Sequence, residues 1–183
     1  MTHSSCLFSF RKNPNKQRRL EEYIGWVTNT IGVVCFSEDW LDPVLWSHYA
    51  AKHAGIALGF DISQRVLLPV TYKKDRMEFP SNPEEDDVDR FLGTKFESWR
   101  YEREHRVAVR LADASVDGGL LFENFGPDVV LREVILGPLC SEDVAIVRAK
   151  VDAIHSSVTT FKSRLAQKFF SVVPDETTVP PRG

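Results

Sequence analysis

Cysteine is scarce in this chain, and its three copies stand far apart. Cys6, Cys35 and Cys140 form no C-x-x-C pair, which excludes a disulfide framework and a cysteine-based zinc site and fits a reducing cytosol. Apolar runs of membrane-spanning length are missing as well. The basic residues Arg11, Lys12, Lys16, Arg18 and Arg19 lead into Glu21 and Glu22, not into the apolar core of a secretory signal. Charge of one sign is also lacking: 23 Lys and Arg stand against 26 Asp and Glu, a net of −3. No global basic field announces nucleic acid. These absences predict a cytoplasmic protein with no membrane partner. The chain holds no G-x-G-x-x-G, P-loop, G-x-S-x-G, H-E-x-x-H or EF-hand loop, which removes the commonest nucleotide, hydrolase and metal classes.

What remains is a chain of 183 residues with 43% hydrophobic content, enough for one domain with its own core. Residues 1–13 read as loosely ordered, 14–173 as a single α+β domain, and 174–183 as a flexible tail. Asn13 and Pro14 open a helix with Leu20, Tyr23, Ile24 and Val27 inward. "IGVVCFS" (31–37) is short, β-branched and nearly all apolar, which predicts a buried strand. Asp42 and Pro43 open a second helix, ended by Gly55, whose face holds Leu45, Trp46, Tyr49 and Ala50. "GIALGFD" and "RVLLPVTY" follow as consecutive strands, and 73–87 reads as a polar loop. "VDRFLGTKFESW" predicts a helix burying Val88, Phe91, Leu92 and Phe96, and "EHRVAVRL" and "VVLREVILG" read as strands. Ser141 caps a helix with the stripe Val144, Val147, Val151 and Ile154; "TTFKS" and "LAQKFFSVV" close the domain as strands. Clustered strands and few helices make the class α+β, with mixed, mainly antiparallel sheets.

Three constellations can carry chemistry. Ser37, ending the strand of Cys35 and Phe36, either caps the next turn or lines a ligand pocket at the sheet edge. Trp46, His48, Tyr49, Lys52 and His53 crowd into one stretch. His48 and His53 are five residues apart and share no helical face, which argues against a two-histidine metal site. His48 is either a satisfied core histidine or, with Trp46 and Tyr49, a stacking and hydrogen-bonding wall for a planar ligand that Gly55 lets approach. In "KFESWRYEREHRV", read as extended, Glu102, Glu104 and Arg106 point to one side, with Trp99 and Tyr101 alternating nearby. They are either a structural ion-pair ladder or a carboxylate pair tuned by an arginine, suited to steadying a developing cation or taking a proton.

The ordered series Cys35-Phe36-Ser37, Trp46 to Ala50, His53-x-Gly55-Ile56, "VTY", Lys95 and Trp99-x-Tyr101-Glu102-x-Glu104-x-Arg106 resembles a bacterial family defined as a domain of unknown function, over roughly residues 31–173. Members of that family usually place a Tyr-rich strand, a short helix and an Asn-Asp-Pro segment before the Cys-Phe-Ser strand; the residues before Ile31 hold no such segment. More weakly, the layout resembles the ADP-ribosyltransferase fold, in which split sheets clasp NAD and a late strand carries the catalytic Glu. That resemblance implies NAD as substrate, Glu104 as the catalytic carboxylate and Glu102 as the group that orients or activates the acceptor. It implies Ser37, His48 and Tyr49 as candidates for the NAD pocket, to which Trp46, His53, Trp99 and Arg106 add stacking and polar groups. It also implies an effector of toxin or phage-defence type, with a nucleic-acid or protein acceptor and an antitoxin partner. Two other readings stand beside it. One is a non-catalytic module binding a small molecule or nucleotide through Trp46, His48 and Tyr49. The other is a nuclease in which Lys95, Glu102 and Glu104 hold a divalent ion against phosphate.

Overall fold

The structure is a computed structural model that describes residues 8–9, 14–80, 83 and 85–179. Its elements in chain order are β1 (Phe8–Ser9), α1 (Pro14–Thr30), β2 (Ile31–Ser37), α2 (Pro43–Tyr49), β3 (Ile56–Ile62), β4 (Leu68–Pro69), β5 (Thr71–Lys73), β6 (Met77–Glu78) and α3 (Glu85–Leu92). There follow β7 (Thr94–Phe96), a 3₁₀ helix (Glu97–Glu102), β8 (Glu104–Arg110), β9 (Ser115–Asp117), β10 (Leu120–Phe122), β11 (Val129–Leu136), α4 (Val144–Asp152), β12 (Thr159–Leu165) and β13 (Val172–Pro174). The class is α+β, with most strand pairs antiparallel and β1–β6, β5–β7 and β11–β12 parallel. Residues 1–7, 10–13, 81–82, 84 and 180–183 lie outside the described residues; they include the expected Asn13 cap, most of the N-terminal end read as loose and the last four residues of the tail. The chain divides into two compact units, Met1–Glu38 with Gln64–Asn124, and Asp39–Ser63 with Phe125–Gly183.

In the first unit α1 begins on Pro14, where a missing N–H leaves no helical bond unmade. It buries Leu20 and Val27, with Tyr23 and Ile24 half-buried, against Met77, Phe79, Val88, Phe91 and Leu92. The segment expected as a polar loop thus contributes β6 and two core side chains. β2, β8 and β4 form an antiparallel sheet in the order β2-β8-β4. β2 is not the buried strand its composition suggests. It lies at the edge of that sheet, and Val33, Val34 and Cys35 are exposed. The helix expected from Val88 to Trp99 also breaks early. At Gly93 the N–H reaches the Asp89 carbonyl at 2.6 Å, and a Cβ there would come within 2.8 Å of that oxygen. The chain then pairs Thr94–Phe96 with Thr71–Lys73, setting Lys95 opposite Tyr72. Phe96 is 53% exposed, contrary to the inward place its spacing suggests.

The second unit is a four-stranded sheet in the order β13-β12-β11-β3. The parallel pair β11 and β12 is connected through α4, the crossover that parallel strands require. Alternation along β11 divides the core: Ile135 packs with Trp46, Ala50, Phe161 and Val172, while Val134 and Leu136 pack with Val158, Cys140 and the half-buried Val144, Val147 and Val151. Asp143, not Ser141, caps α4, its carboxylate accepting from the Ala145 N–H at 2.7 Å. Ile154 lies past the helix end and is 76% exposed. Asp42 caps α2 in the same way, accepting from the Val44 N–H at 2.8 Å. After α2 the backbone turns through Ala51, Lys52 and His53, all in the left-handed region at φ 47°, 53° and 72°. This turn packs on Gly137, where a Cβ would stand 2.2 Å from the His53 carbonyl, so only glycine fits. Past β13, Asp175 and Thr178 hydrogen-bond back to Lys162 on β12.

Candidate functional site

Two nearly buried carboxylates meet on one ammonium group in the first unit. Glu102 and Glu104 are 5% and 4% exposed. Lys95 Nζ donates to Glu102 Oε2 and, at 2.7 Å, to Glu104 Oε2. Arg106 Nε donates to the other Glu104 oxygen at 2.8 Å, and its Nη1 donates to the Leu92 carbonyl. Burying a charge is costly unless it is paired and bonded. Here every oxygen of Glu104 has a cationic donor.

The convergence has a different local cause from the one that side-chain alternation implies. Glu102 is not on a strand; it ends the 3₁₀ helix, whose rise and turn differ from extended chain. Arg103 follows in the left-handed region at φ 43°, and β8 begins at Glu104. That single kink, of a kind that costs about 1 kcal/mol for a non-glycine residue, turns the two carboxylates toward the same amine. Ser37 fixes the same junction: its hydroxyl donates to the Glu102 carbonyl at 2.7 Å, and it sits opposite Glu104 in the β2–β8 register. It therefore ties the end of the 3₁₀ helix to β2.

Tyr72 is the residue that reading the sequence for chemistry missed, although it is the Tyr of "VTY". Its hydroxyl oxygen accepts the Glu104 N–H at 2.8 Å, and its ring lies 5.3 Å from the Arg100 guanidinium carbon. The Trp99 ring is 5.0 Å from Lys95 Nζ and 6.1 Å from the Tyr101 ring, tilted by 33°. Trp99 is 37% exposed, giving the ammonium an aromatic neighbour that borders solvent.

The charges reinforce one another. Burial pushes the Glu104 carboxyl upward, but hydrogen bonds from Arg106, Cys35 and Lys95 outweigh it and hold the pKa at about 2. Burial lowers the ammonium of Lys95 and the guanidinium of Arg106, yet their carboxylate bonds win and both stay raised. Cys35 answers in the opposite sense: although the residue as a whole is exposed, desolvation of its thiol, then the Glu104 carboxylate beside it, pushes it up to about 11. Glu104 is thus a fixed negative charge across the neutral range. Such a group suits stabilising a developing cation and is far too weak a base to abstract a proton near pH 7. Cys35 stays a thiol, and thiols are poor nucleophiles.

The remaining candidates, Trp46, His48, Tyr49 and His53, belong to the second unit. Trp46 is 2% exposed in its core, and its indole N–H is bonded to the Trp40 carbonyl at 2.6 Å. Its ring faces are therefore covered by the unit's own side chains. His48 and Tyr49 are exposed, with ring centroids 6.0 Å apart. His53 is half-buried in the left-handed turn, where its carbonyl accepts the Leu139 N–H at 3.0 Å. Among the described residues no group of three or more His, Cys, Asp or Glu is placed to hold a metal ion, and no helix is long and apolar enough to cross a membrane. The chain matches no family model, no curated protein and no solved structure.

Proposed function

We propose that the first unit carries a glycosyl-transfer site of ADP-ribosyltransferase type, with NAD as substrate and Glu104 as the catalytic carboxylate. The observation that carries the reading is a carboxylate 4% exposed that accepts from Lys95 and Arg106, beside a second buried carboxylate bonded to the same ammonium. Cleaving NAD at its nicotinamide bond sends the bonding electron pair to nicotinamide, which leaves neutral, and leaves positive charge on the ribose. In this reading the substrate displaces Lys95 from Glu104 Oε2, and that carboxylate oxygen then lowers the energy of the ribose charge in a low-dielectric setting. The acceptor's oxygen or nitrogen then forms the new bond to the ribose carbon, and its proton passes to Glu102. Trp99 and Tyr101 offer rings to a planar base, while Arg106 is engaged with Glu104 and orients that carboxylate. In this reading the acceptor is a nucleic acid or a protein, and the fold is related to that of ADP-ribosyltransferases.

The test is nicotinamide release from NAD by the purified chain, with Glu104→Gln assayed beside it and circular dichroism checking that the variant folds. Release by the wild type, lowered on the order of a hundredfold or more in Glu104→Gln, is expected for the loss of a charge that acts in the transition state. Equal release by the two proteins, or none by the wild type with acceptor present, overturns the reading.

A further inference from the structure

We infer that β2 is a docking edge for a second copy of this chain, the two β2 strands pairing antiparallel about a two-fold axis at Val34. β2 is an outer strand of the sheet β2-β8-β4. Among the described residues, the backbone of Ile31 to Cys35 makes no hydrogen bond besides those of the β8 ladder. Successive side chains of a strand point to opposite faces, and Val33, Val34 and Cys35 are all exposed, the two valines at 37% and 41%. Both faces of the strand are therefore open beside a row of backbone donors and acceptors. Such a row is a template for another strand, and chains that stay single guard it with lysine, proline or a bulge. β2 carries none of these. Ile31 to Ser37 holds no charge and no proline, and it follows β8 in unbroken register.

The charges around β2 say which strand fits. Antiparallel pairing about Val34 sets Val34 against the partner's Val34, Val33 against the partner's Cys35 and Ile31 against the partner's Ser37, so only uncharged side chains meet. Glu38, the acid that follows the strand, then lies beside the partner's Thr30. Parallel pairing in register instead brings Glu38 against the partner's Glu38, and like charges directly opposite destabilise a pair. The strand is thus its own complement in one orientation. A two-fold axis makes the same patch serve both copies and closes the assembly at two. Joined this way, the two three-stranded sheets become one, antiparallel throughout. Their β8 strands lie three strand spacings apart, about 14 Å, each carrying Glu104 one strand from the axis. The pairing uses none of the groups of the proposed transfer site and stands apart from that reading.

Sedimentation equilibrium of the whole chain tests the pairing, with Val34→Lys, Val34→Glu and an equal mixture of the two beside the wild type. Val34 is 41% exposed, so either change leaves the core untouched, and circular dichroism checks the fold. The wild type is expected to dimerise. Each variant alone is expected to dimerise at least about a hundredfold more weakly, because two like charges meet at the axis. The mixture is expected to recover the dimer, since opposite charges then face each other. A wild type that stays monomeric at the highest concentration it reaches overturns the proposal and leaves the edge to a strand of another protein. A dimer that both variants form as tightly as the wild type, or a mixture no tighter than its components, overturns it as well. Should neither variant fold, amide hydrogen exchange in the wild type answers. The N–H groups of Ile31 to Cys35 are expected to exchange more slowly as protein concentration rises, and exchange independent of concentration overturns the pairing.

Discussion

The cluster around Glu104 and the stretch from Trp46 to His53 are equally rich in side chains that could do chemistry, but the two regions use them in opposite ways. Around Glu104 the charged groups are inside and aimed at one another: two carboxylates at 5% exposure or less, one ammonium, one guanidinium and a tyrosine hydroxyl. From Trp46 to His53 the apolar Trp46 is inside, His48, Tyr49 and Lys52 are outside, and His53 is half-buried. Trp46 fills the core of its unit, and Tyr49 is 65% exposed. The difference teaches where density of interesting residues has meaning. Polar groups at a surface cost nothing, so their company is weak information. Polar groups held inside are expensive, so their arrangement is specific.

The largest effect that would sharpen this contrast is Trp46→Ala. Truncating a tryptophan of 2% exposure opens a cavity and leaves the Trp40 carbonyl without its indole donor. A loss of about 3–5 kcal/mol in urea unfolding is expected. A loss below about 1 kcal/mol would show that Trp46 stands at a surface, as a pocket wall would, and would dissolve the comparison.

Acid should discriminate next. Glu104 has a folded pKa of about 2 against an ordinary value of 4.5. A depressed carboxyl contributes stability that is complete above its unfolded pKa and is lost as pH falls toward the folded one. The window therefore runs from about pH 5 down to about 2, and the contribution is on the order of 3 kcal/mol. Urea unfolding at several pH values should show that slope in the wild type and a flatter one in Glu104→Gln. Identical slopes would mean that Glu104 titrates normally and that its cationic neighbours do not hold it.

These two tests bear on what the amino-acid order made legible. Helix starts were readable wherever a short side chain or proline does the work locally, as at Pro14 and Asp42. The core stripe of α1 was readable from its period, and so was that of α4 apart from the exposed Ile154. Glu102, Glu104, Arg106 and Lys95 could be picked out together, yet by a wrong route: period two assumed a strand, whereas a 3₁₀ helix and the left-handed Arg103 bring the carboxylates together. A kink of that kind has no local signature, because arginine does not favour the conformation that its neighbours impose. β2 misled for a related reason. Its Val33, Val34 and Cys35 have the composition of a buried strand, and edge position is set by which strands pair, not by the strand itself. Tyr72 went unassigned because it lies on β5, which a parallel pairing with β7 that no pattern in either announces holds in place, while its bond goes to Glu104 on β8.

The cysteine beside the cluster provides a smaller, kinetic probe. With its thiol raised from 9.0 to about 11 by burial and by Glu104, Cys35 holds roughly a hundredfold less thiolate near pH 8 than an ordinary cysteine, since each unit is a factor of ten. Iodoacetamide should label it slowly although the residue is exposed, and faster in Glu104→Gln. Labelling at the rate of a free thiol would place Cys35 outside the field of the carboxylate.

Tyr49→Ala should do least, and its smallness is the point. The ring is 65% exposed and edge-on to His48 at 6.0 Å, a contact that solvent shares. A change within about 0.5 kcal/mol is expected for such a surface position. A loss above about 1.5 kcal/mol would mean that the ring is covered in solution by something that binds this face of α2. Tyr49 would then join Trp46 as a packed residue, and the second region would resemble the first: side chains whose value lies in what they touch. With the expected small change, His48 and Tyr49 remain a solvated rim, and the chemical burden stays with the carboxylates that Arg103 turns inward.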